Sequence, residues 1–242
     1  MNQLVVALDV DSADRARVLA DSLRGAVGAF KIGSHLFTSH GPSIVEDLVA
    51  GEDRVFLDLK FHDIPNTVAN AVTAATRLGV WMVDVHASGG MAMMRAASDA
   101  AREEAARLGR PAPLVVAITV LTSRDEPMLR EIGVGAAVLA QVERLADLAQ
   151  RAGLDGVVAS PQEVALIRRH CGERFVIVTP GVRGGAATLT NAGDDQSRTM
   201  TAPAALAAGA NYLVVGRPVV LAPDPREAAE RIADECRAAI GS

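Results

Sequence analysis

The sequence predicts an α/β fold of the (β/α)8 class, the TIM barrel. The chain has 242 residues, which is close to the length of about 250 that this fold commonly takes. Short apolar runs rich in β-branched residues alternate along it with longer segments rich in Ala, Leu and Arg. Because the apolar runs are continuous rather than alternating, they indicate strands buried on both faces, as in a parallel sheet.

Each apolar run predicts one strand of the barrel. The eight runs begin at Leu4, Ala29, Val55, Val80, Leu114, Gly156, Phe175 and Tyr212. The segments between the runs predict the helices, and several of them follow residues that favour a helix start: Asp11-Ser12, Pro65-Asn66 and Ser160-Pro161. The clearest helical segments are Ala13–Leu23, Thr67–Leu78, Met91–Leu108, Ala136–Ala152 and Arg226–Ala239.

A doubly wound open sheet would produce the same alternation of strands and helices. The first strand, however, ends in ALDVDSAD and lacks the GxGxxG turn that binds dinucleotides in many such sheets. The Gly- and polar-rich stretch Gly184–Asp194 follows the seventh strand and is typical of a loop rather than a linker between domains. We therefore expect a single catalytic barrel domain over residues 1–242.

Composition excludes several classes of function. The net charge of −5, without a basic excess, argues against nucleic acid as a partner. No stretch approaches the about 18–20 uninterrupted apolar residues of a membrane helix, and the N-terminus lacks the pattern of a signal peptide. Cys171 and Cys236 form neither a disulfide framework nor a zinc pattern. These features predict a cytoplasmic protein with no membrane partner.

The basic residues point to the chemistry. Only two of the 24 are lysines, Lys31 and Lys60, and both fall near predicted strand ends, where barrel enzymes place their reactive groups. An ammonium can release its proton, whereas a guanidinium stays protonated. A proton donor is therefore the function that best explains lysine in a chain that otherwise uses arginine.

Acidic residues accompany these lysines. Asp58 and Lys60 are two positions apart on a predicted strand, so both side chains should face the barrel interior while Leu57 and Leu59 face the helices. Because a buried charge needs a partner, we expect an alternating charge network. Its members would be Asp9, Lys31, Asp58, Lys60 and Asp63. The alternative is an ion-pair lattice that only plugs the barrel.

The loops after strands seven and eight predict a phosphate site. They read TPGVRGG and VVGRPV, and barrels commonly bind phosphate at these two loops. Their glycines permit close backbone approach, while Arg183 and Arg217 supply forked positive charge. The alternative is that both arginines are ordinary surface cations. His62 and His86 do not form a metal-ligand set with neighbouring carboxylates, so no metal is expected.

The segment DLKFHDIPNT, residues 58–67, resembles the signature of the orotidine 5′-phosphate decarboxylase family. The resemblance continues in VVALD, FKIG, VDVHASGG, VLTS, TPGVR, DDQSR and VVGR, and so covers nearly the whole chain. It implies a barrel that converts orotidine 5′-phosphate to uridine 5′-phosphate (UMP), the last step of de novo pyrimidine nucleotide synthesis, without a cofactor.

The resemblance also implies roles for individual residues. Lys60 matches the lysine that protonates C6 of the pyrimidine after carbon dioxide leaves, and Asp58 matches the carboxylate placed beside the substrate's own carboxylate. Lys31 matches the lysine that links this network to the ribose, which Asp9 binds. Other matches concern the base and the phosphate: Thr122 at the base edge, Pro180 over the base, and Arg183, Gln196, Gly216 and Arg217 on the phosphate side.

The residues that match Asp63, Ile64 and Thr67 reach into the neighbouring subunit's site, which implies a homodimer with shared active sites. The stretch between Arg183 and Gln196 is longer and richer in Gly and Ala than the resemblance leads us to expect. The residues by themselves are also compatible with three other functions. They are a metal-assisted decarboxylase of sugar-acid phosphates, a Schiff-base aldolase using Lys60 or Lys31, and a non-catalytic barrel that binds a phosphorylated metabolite.

Overall fold

Eight parallel strands close into a barrel in the computed structural model, which describes residues 2–183 and 200–240, without the side chains of Arg183 and Ile240. Around the barrel the strands follow the order β1-β10-β7-β6-β5-β4-β3-β2. A closed parallel barrel confirms the predicted fold class and excludes the open sheet. The barrel strands are β1 (Leu4–Ala7), β2 (Ala29–Gly33), β3 (Val55–Phe61), β4 (Met82–His86), β5 (Leu114–Ile118), β6 (Gly156–Val158), β7 (Val176–Pro180) and β10 (Tyr212–Val215).

Two further strands lie outside the barrel, and the sequence did not predict them. β8 (Val182–Arg183) pairs in parallel with β9 (Met200–Thr201) in a ladder that follows β7. Each strand has only two residues, too few to produce an apolar run. The ladder brings together the two chain segments that flank residues 184–199, which are outside the described residues and include Gln196.

The predicted helices are present, with ends that shift by one or two residues. Their predicted start residues act as caps or first residues: the Ser12 side chain accepts the Arg15 backbone N–H at 3.3 Å, Pro65 begins its helix, and Ser160 forms a capping box with Glu163. The helices are α1 (Ala13–Leu23), α2 (Ser34–His40), α3 (Ser43–Ala50), α4 (Pro65–Arg77), α5 (Gly90–Arg107), α6 (Glu126–Glu131), α7 (Val138–Arg151), α8 (Val164–Cys171), α9 (Ala202–Ala207), α10 (Arg217–Val220) and α11 (Pro225–Ile240).

The helices that the sequence analysis missed are short. α2 and α3 both lie between β2 and β3 and are separated by Gly41 and Pro42, and the φ of +70° at Gly41 ends α2. A helix of four to eight residues shows at most two turns of periodicity, so its pattern does not stand out from a loop. None of the helices in the described ranges is long and apolar enough to cross a membrane.

The core has two layers, because alternate strand residues face opposite ways. One side of the strands packs against the helices and includes Leu57 and Val83. The other side fills the barrel interior near its amino end with Phe56, Met82 and their neighbours. The Trp81 ring closes that end further. Its centre is 4.9 Å from the centre of the Tyr212 ring, in an edge-to-face contact, and the Arg54 guanidinium lies over it at 4.7 Å from its centre. The carboxyl end of the barrel is thus the side on which a ligand can enter.

Both cysteines are buried free thiols, Cys171 in α8 and Cys236 in α11. Burial raises the pKa of each thiol to about 11, so both stay protonated at neutral pH.

Candidate active site

Four charged side chains form a chain of ion pairs at the carboxyl end of the barrel. The Lys31 ammonium lies 3.2 Å from Asp9 Oδ1 and 3.0 Å from Asp58 Oδ2. The other oxygen of Asp58, Oδ1, accepts a hydrogen bond from the Lys60 ammonium. The charges therefore alternate in the order Asp9, Lys31, Asp58, Lys60, as expected for a network that satisfies buried charge.

Strand periodicity explains why these side chains meet. Ala7, Ala29 and Phe56 face the barrel interior, and each stands two residues before a charged one, namely Asp9, Lys31 and Asp58. Because side chains two apart on a strand share a face, the charges continue the interior layer toward the open end. Leu57 and Leu59 pack against the helix-side core, as predicted.

Burial and charge act in opposite directions on the central pair. Lys31 and Asp58 are each only 9% exposed. Burial lowers the pKa of Lys31, but the charges of Asp58 and Asp9 outweigh it and leave the pKa above its ordinary value. Burial likewise raises the pKa of Asp58, but Lys31, a hydrogen bond from Asp84 and Lys60 together hold it well below its ordinary value. Both groups are therefore charged at neutral pH.

The backbone at Lys60 departs from the regular strand that the sequence predicted. Its φ is +53°, in the left-handed region, and the pairing of β3 with β4 shifts between Leu57 and Phe61. The Lys60 backbone N–H donates to Asp84 Oδ1 at 2.8 Å instead of joining the strand ladder. Regular alternation thus explains the direction of Asp58, whereas a bulge sets that of Lys60.

Asp63 does not join the charge network of Asp9, Lys31, Asp58 and Lys60, contrary to the expectation from alternating charges. Its side chain is exposed, and Oδ1 accepts the Ile64 backbone N–H at 2.6 Å. The reason is the course of the chain, which leaves β3 after Phe61 and begins α4 at Pro65. Ile64, 66% exposed, and Thr67, also exposed, lie on the same rim.

An open cleft of about 580 Å³ runs along this rim, between the start of α4 and the turn after β4. It is lined by His62, Asp63, Ile64, Pro65, Ser88 and Gly89. The cleft therefore lies beside the end of β3 that carries Asp58 and Lys60.

The described residues that were predicted to contact the base and the phosphate lie at the carboxyl ends of β5, β7 and β10 or just beyond them, whereas Gln196 is outside the described residues. Gly216 follows β10 and lies next to Asp9, since a Cβ at this position would be 3.7 Å from Asp9 Oδ2. Arg217 is exposed and begins α10, while Pro180 ends β7 beside β10. Arg183 is in β8, and its side chain is not described. Thr122 lies half-buried in the turn after β5.

Two histidine rings stand beside the charge network. The centres of the His62 and His86 rings are 5.4 Å apart. Burial, and then electrostatic interactions with His62 and Lys60, lower the pKa of His86 to about 4, so its ring is neutral at neutral pH. A neutral imidazole is a poor proton donor. Within residues 2–183 and 200–240, no group of three or more His, Cys, Asp or Glu side chains could hold a metal ion.

Asp84 belongs to the site, although its sequence position did not predict a role for it. It stands two residues after the interior Met82 on β4 and is fully buried. Burial, and then the charge of Asp58, raise its pKa well above its ordinary value. The sequence did contain a signal for it. Asp84 is an acidic residue within the apolar run MVDVH, and it is two positions from Met82, so both side chains face the barrel interior.

Comparison with known proteins gives one consistent result. The family described as "Orotidine 5'-phosphate decarboxylase / HUMPS family" matches residues 2–232. The orotidine 5′-phosphate decarboxylase of Moorella thermoacetica is 53% identical over 235 residues, which cover 97% of this chain and 92% of that protein. The one from Syntrophotalea carbinolica is 54% identical over 238 residues, 98% and 96% of the two chains. A crystal structure of the Lactobacillus acidophilus protein of that name has a TM-score of 0.85 and 35% identity, covering 98% of this chain and 99% of that one.

Proposed function

The chain belongs to the orotidine 5′-phosphate decarboxylase / HUMPS family, and we propose that it converts orotidine 5′-phosphate to UMP, the last step of de novo pyrimidine nucleotide synthesis. The observation that carries this function is the alternating network of Asp9, Lys31, Asp58 and Lys60 at the open end of the barrel. Neither the metal-assisted activity nor the non-catalytic barrel is favoured, because relatives about half identical over nearly the whole chain are decarboxylases by name.

The chemical difficulty of the reaction explains why a lysine is needed. Loss of carbon dioxide leaves an electron pair on C6 in the plane of the ring, where the π-system cannot delocalise it. Stabilisation must then come from charge that is already in place, and the Lys60 ammonium supplies it. Lys60 next donates its proton to C6 to form UMP, and its amine regains a proton from water. The proposed mechanism uses no cofactor.

Asp58 has two roles in this proposal. Its charge holds both ammonium groups in place, through Oδ1 to Lys60 and Oδ2 to Lys31. It also faces the carboxylate that the substrate loses, so the repulsion between the two groups is relieved as carbon dioxide leaves. Both roles require an ionised Asp58, in agreement with its lowered pKa.

The remaining predicted residues bind parts of the substrate remote from C6. We assign the ribose to Asp9 and Lys31, the base to Thr122 and Pro180, and the phosphate to Arg183, Gln196, Gly216 and Arg217. The short distance between Gly216 and Asp9 supports this division, because the phosphate and ribose of one nucleotide are adjacent. The binding energy of the phosphate group can then help to stabilise the transition state at C6, although the phosphate is remote from that atom.

Replacing Arg217 with alanine tests the phosphate assignment. We expect the KM for orotidine 5′-phosphate to rise about 10- to 100-fold, because a charge-assisted hydrogen bond to phosphate is lost. Steady-state kinetics measures the effect, and the dissociation constants of UMP and uridine locate it. Arg217→Ala should bind UMP more weakly than wild type does and should bind uridine with the same affinity. As a control, Arg144→Ala, which replaces an exposed arginine in α7, should leave both dissociation constants unchanged. An unchanged KM would contradict the phosphate role of Arg217.

We also propose that the protein is a cytoplasmic homodimer whose subunits are single catalytic domains covering residues 1–242. Asp63, Ile64 and Thr67 would extend into the partner's site. Two observations support this: Asp63 is exposed and makes no ion pair with the described network of its own chain, and Ile64 is 66% exposed beside the rim cleft. A partner subunit would cover the isoleucine and add an acidic group beside Lys60.

Mixing two inactive variants tests the shared site. Lys60→Ala and Asp63→Ala should each be nearly inactive as homodimers. In a heterodimer, the site with an intact Lys60 would receive Asp63 from the other subunit, so random exchange should restore about a quarter of the wild-type sites. Activity measured after co-refolding detects this. If the mixture is no more active than its components, each site is built from one subunit.

The decisive assay for the function is turnover of orotidine 5′-phosphate, followed by ultraviolet absorbance. We expect conversion to UMP that a metal chelator does not inhibit and that borohydride does not trap on a lysine. Inhibition by the chelator would favour the metal-assisted decarboxylase, trapping would favour the aldolase, and binding without turnover would favour the non-catalytic barrel.

A further inference from the structure

The left-handed backbone at Lys60 is hydrogen-bonded to a buried side chain, that of Asp84. In the described part of the chain, Lys60 and Glu52 are the non-glycine residues with positive φ. A non-glycine residue in this region is disfavoured, so neighbouring contacts must hold it there. The Lys60 backbone N–H donates to Asp84 Oδ1 at 2.8 Å. Asp84 therefore fixes the backbone from which the ammonium extends.

The other oxygen of Asp84 has no donor available to it. Oδ2 is buried and lacks a hydrogen-bond partner among the described residues. Asp84 and Asp58 are close enough for a hydrogen bond between their carboxyl groups, and such a bond requires one proton. Asp58 has an ammonium on each of its oxygens and retains its charge. The shared proton therefore belongs to Asp84, which donates it to Asp58.

We propose that Asp84 is a positioning residue of the decarboxylase: as a neutral carboxylic acid, it accepts the Lys60 backbone N–H and donates to Asp58. This inference rests on the proposed function and deepens it, because it explains what aims the proton donor. The raised pKa of Asp84, caused first by burial and then by Asp58, agrees with it. Because Asp84 is buried, it is unfavourable for Asp84 and Asp58 to carry negative charges at the same time.

Two substitutions distinguish a neutral positioning residue from a charged one. In Asp84→Asn, the amide oxygen still accepts the Lys60 N–H and the amide nitrogen still donates to Asp58, so kcat should stay within about threefold of wild type. In Asp84→Ala both bonds are lost and the ammonium is misplaced, so kcat should fall about 100-fold or more. The KM and the dissociation constant of UMP should change little in both variants. Nucleotide binding does not require the Lys60 proton to be correctly placed.

Asp155 provides a matched control. Its Oδ2 also accepts a backbone N–H at 2.8 Å, from Val115, but at the start of β5 on the opposite end of the barrel. Asp155→Ala should therefore lose a comparable hydrogen bond and keep its kcat. A 100-fold loss in Asp84→Asn would overturn the neutral state of Asp84. An active Asp84→Ala, or one that loses UMP binding while keeping kcat, would overturn the positioning role.

Infrared spectroscopy keeps the inference testable if Asp84→Ala does not fold, and it does not depend on turnover. The wild-type protein at neutral pH should show the carbonyl band of a protonated carboxyl group, which Asp84→Asn removes and Asp155→Asn retains. Absence of that band from the wild-type spectrum would contradict the proposal. If the wild-type protein failed to turn over orotidine 5′-phosphate, the proposed function would fail, whereas the band would still report the proton on Asp84.

Discussion

Lys60→Ala is expected to abolish decarboxylation while nucleotide binding persists. In the proposed mechanism, the ammonium stabilises the electron pair on C6 and supplies the proton that replaces carbon dioxide. General acid catalysis and preorganised charge each contribute about two to four orders of magnitude, so kcat should fall at least about 10,000-fold. Absorbance measures turnover, and calorimetry with UMP measures binding.

Two companion variants show which property of Lys60 matters. Lys60→Arg keeps a positive charge but gives up no proton near neutral pH, so it should also lose most of its activity. Arg107→Ala removes an exposed cation from the end of α5, outside the described site, and should keep its activity. Near-full activity in Lys60→Ala would show that another group protonates C6, and the assignment would be withdrawn.

Asp58→Asn should cause the second large loss. The substitution leaves the ammonium groups of Lys31 and Lys60 without the charge that lies between them. Breaking a buried pair in this way costs about 3–5 kcal/mol, and where it acts on the transition state the cost corresponds to a fall in kcat of about 100- to 1,000-fold or more. Steady-state kinetics gives kcat, and circular dichroism reports whether the barrel stays folded.

The effect on substrate affinity separates the two roles of Asp58. If Asp58 repels the substrate's carboxylate, Asp58→Asn should bind orotidine 5′-phosphate at least as tightly as wild type does, even though kcat falls. Asp155→Asn is the matched control, because it neutralises a carboxylate at the opposite end of the barrel. Weaker binding of orotidine 5′-phosphate with an unchanged kcat would contradict both roles.

The network is stable because it balances charge where the core ends. Asp9, Lys31, Asp58 and Lys60 carry two negative and two positive charges in sequence. Below them, the barrel interior is filled by apolar residues that include Ala29 and Phe56. Each buried charge then has an opposite neighbour that offsets its desolvation. The open side of the network is the side on which substrate would bind.

Most of the fold and much of the site could be predicted from local patterns in the sequence. Continuous apolar runs indicated the eight barrel strands, and caps such as Ser12 and Ser160 marked helix starts. Strand parity placed Asp58 on the interior face, and the shortage of lysine singled out Lys31 and Lys60. These inferences succeeded because strand and helix periodicity are properties of neighbouring residues.

The sequence by itself determined a closed barrel with an alternating charge network at its carboxyl end, since those features follow from apolar periodicity and from the residue types at strand ends. Only the tertiary structure decided that Lys60 stands on a bulge, that Asp63 is outside the charge network and that Asp84 accepts the Lys60 backbone N–H. Each of these depends on the register of β3 against β4 or on the course of the chain after β3. Contacts between strands are non-local, so no pattern within a single strand encodes them.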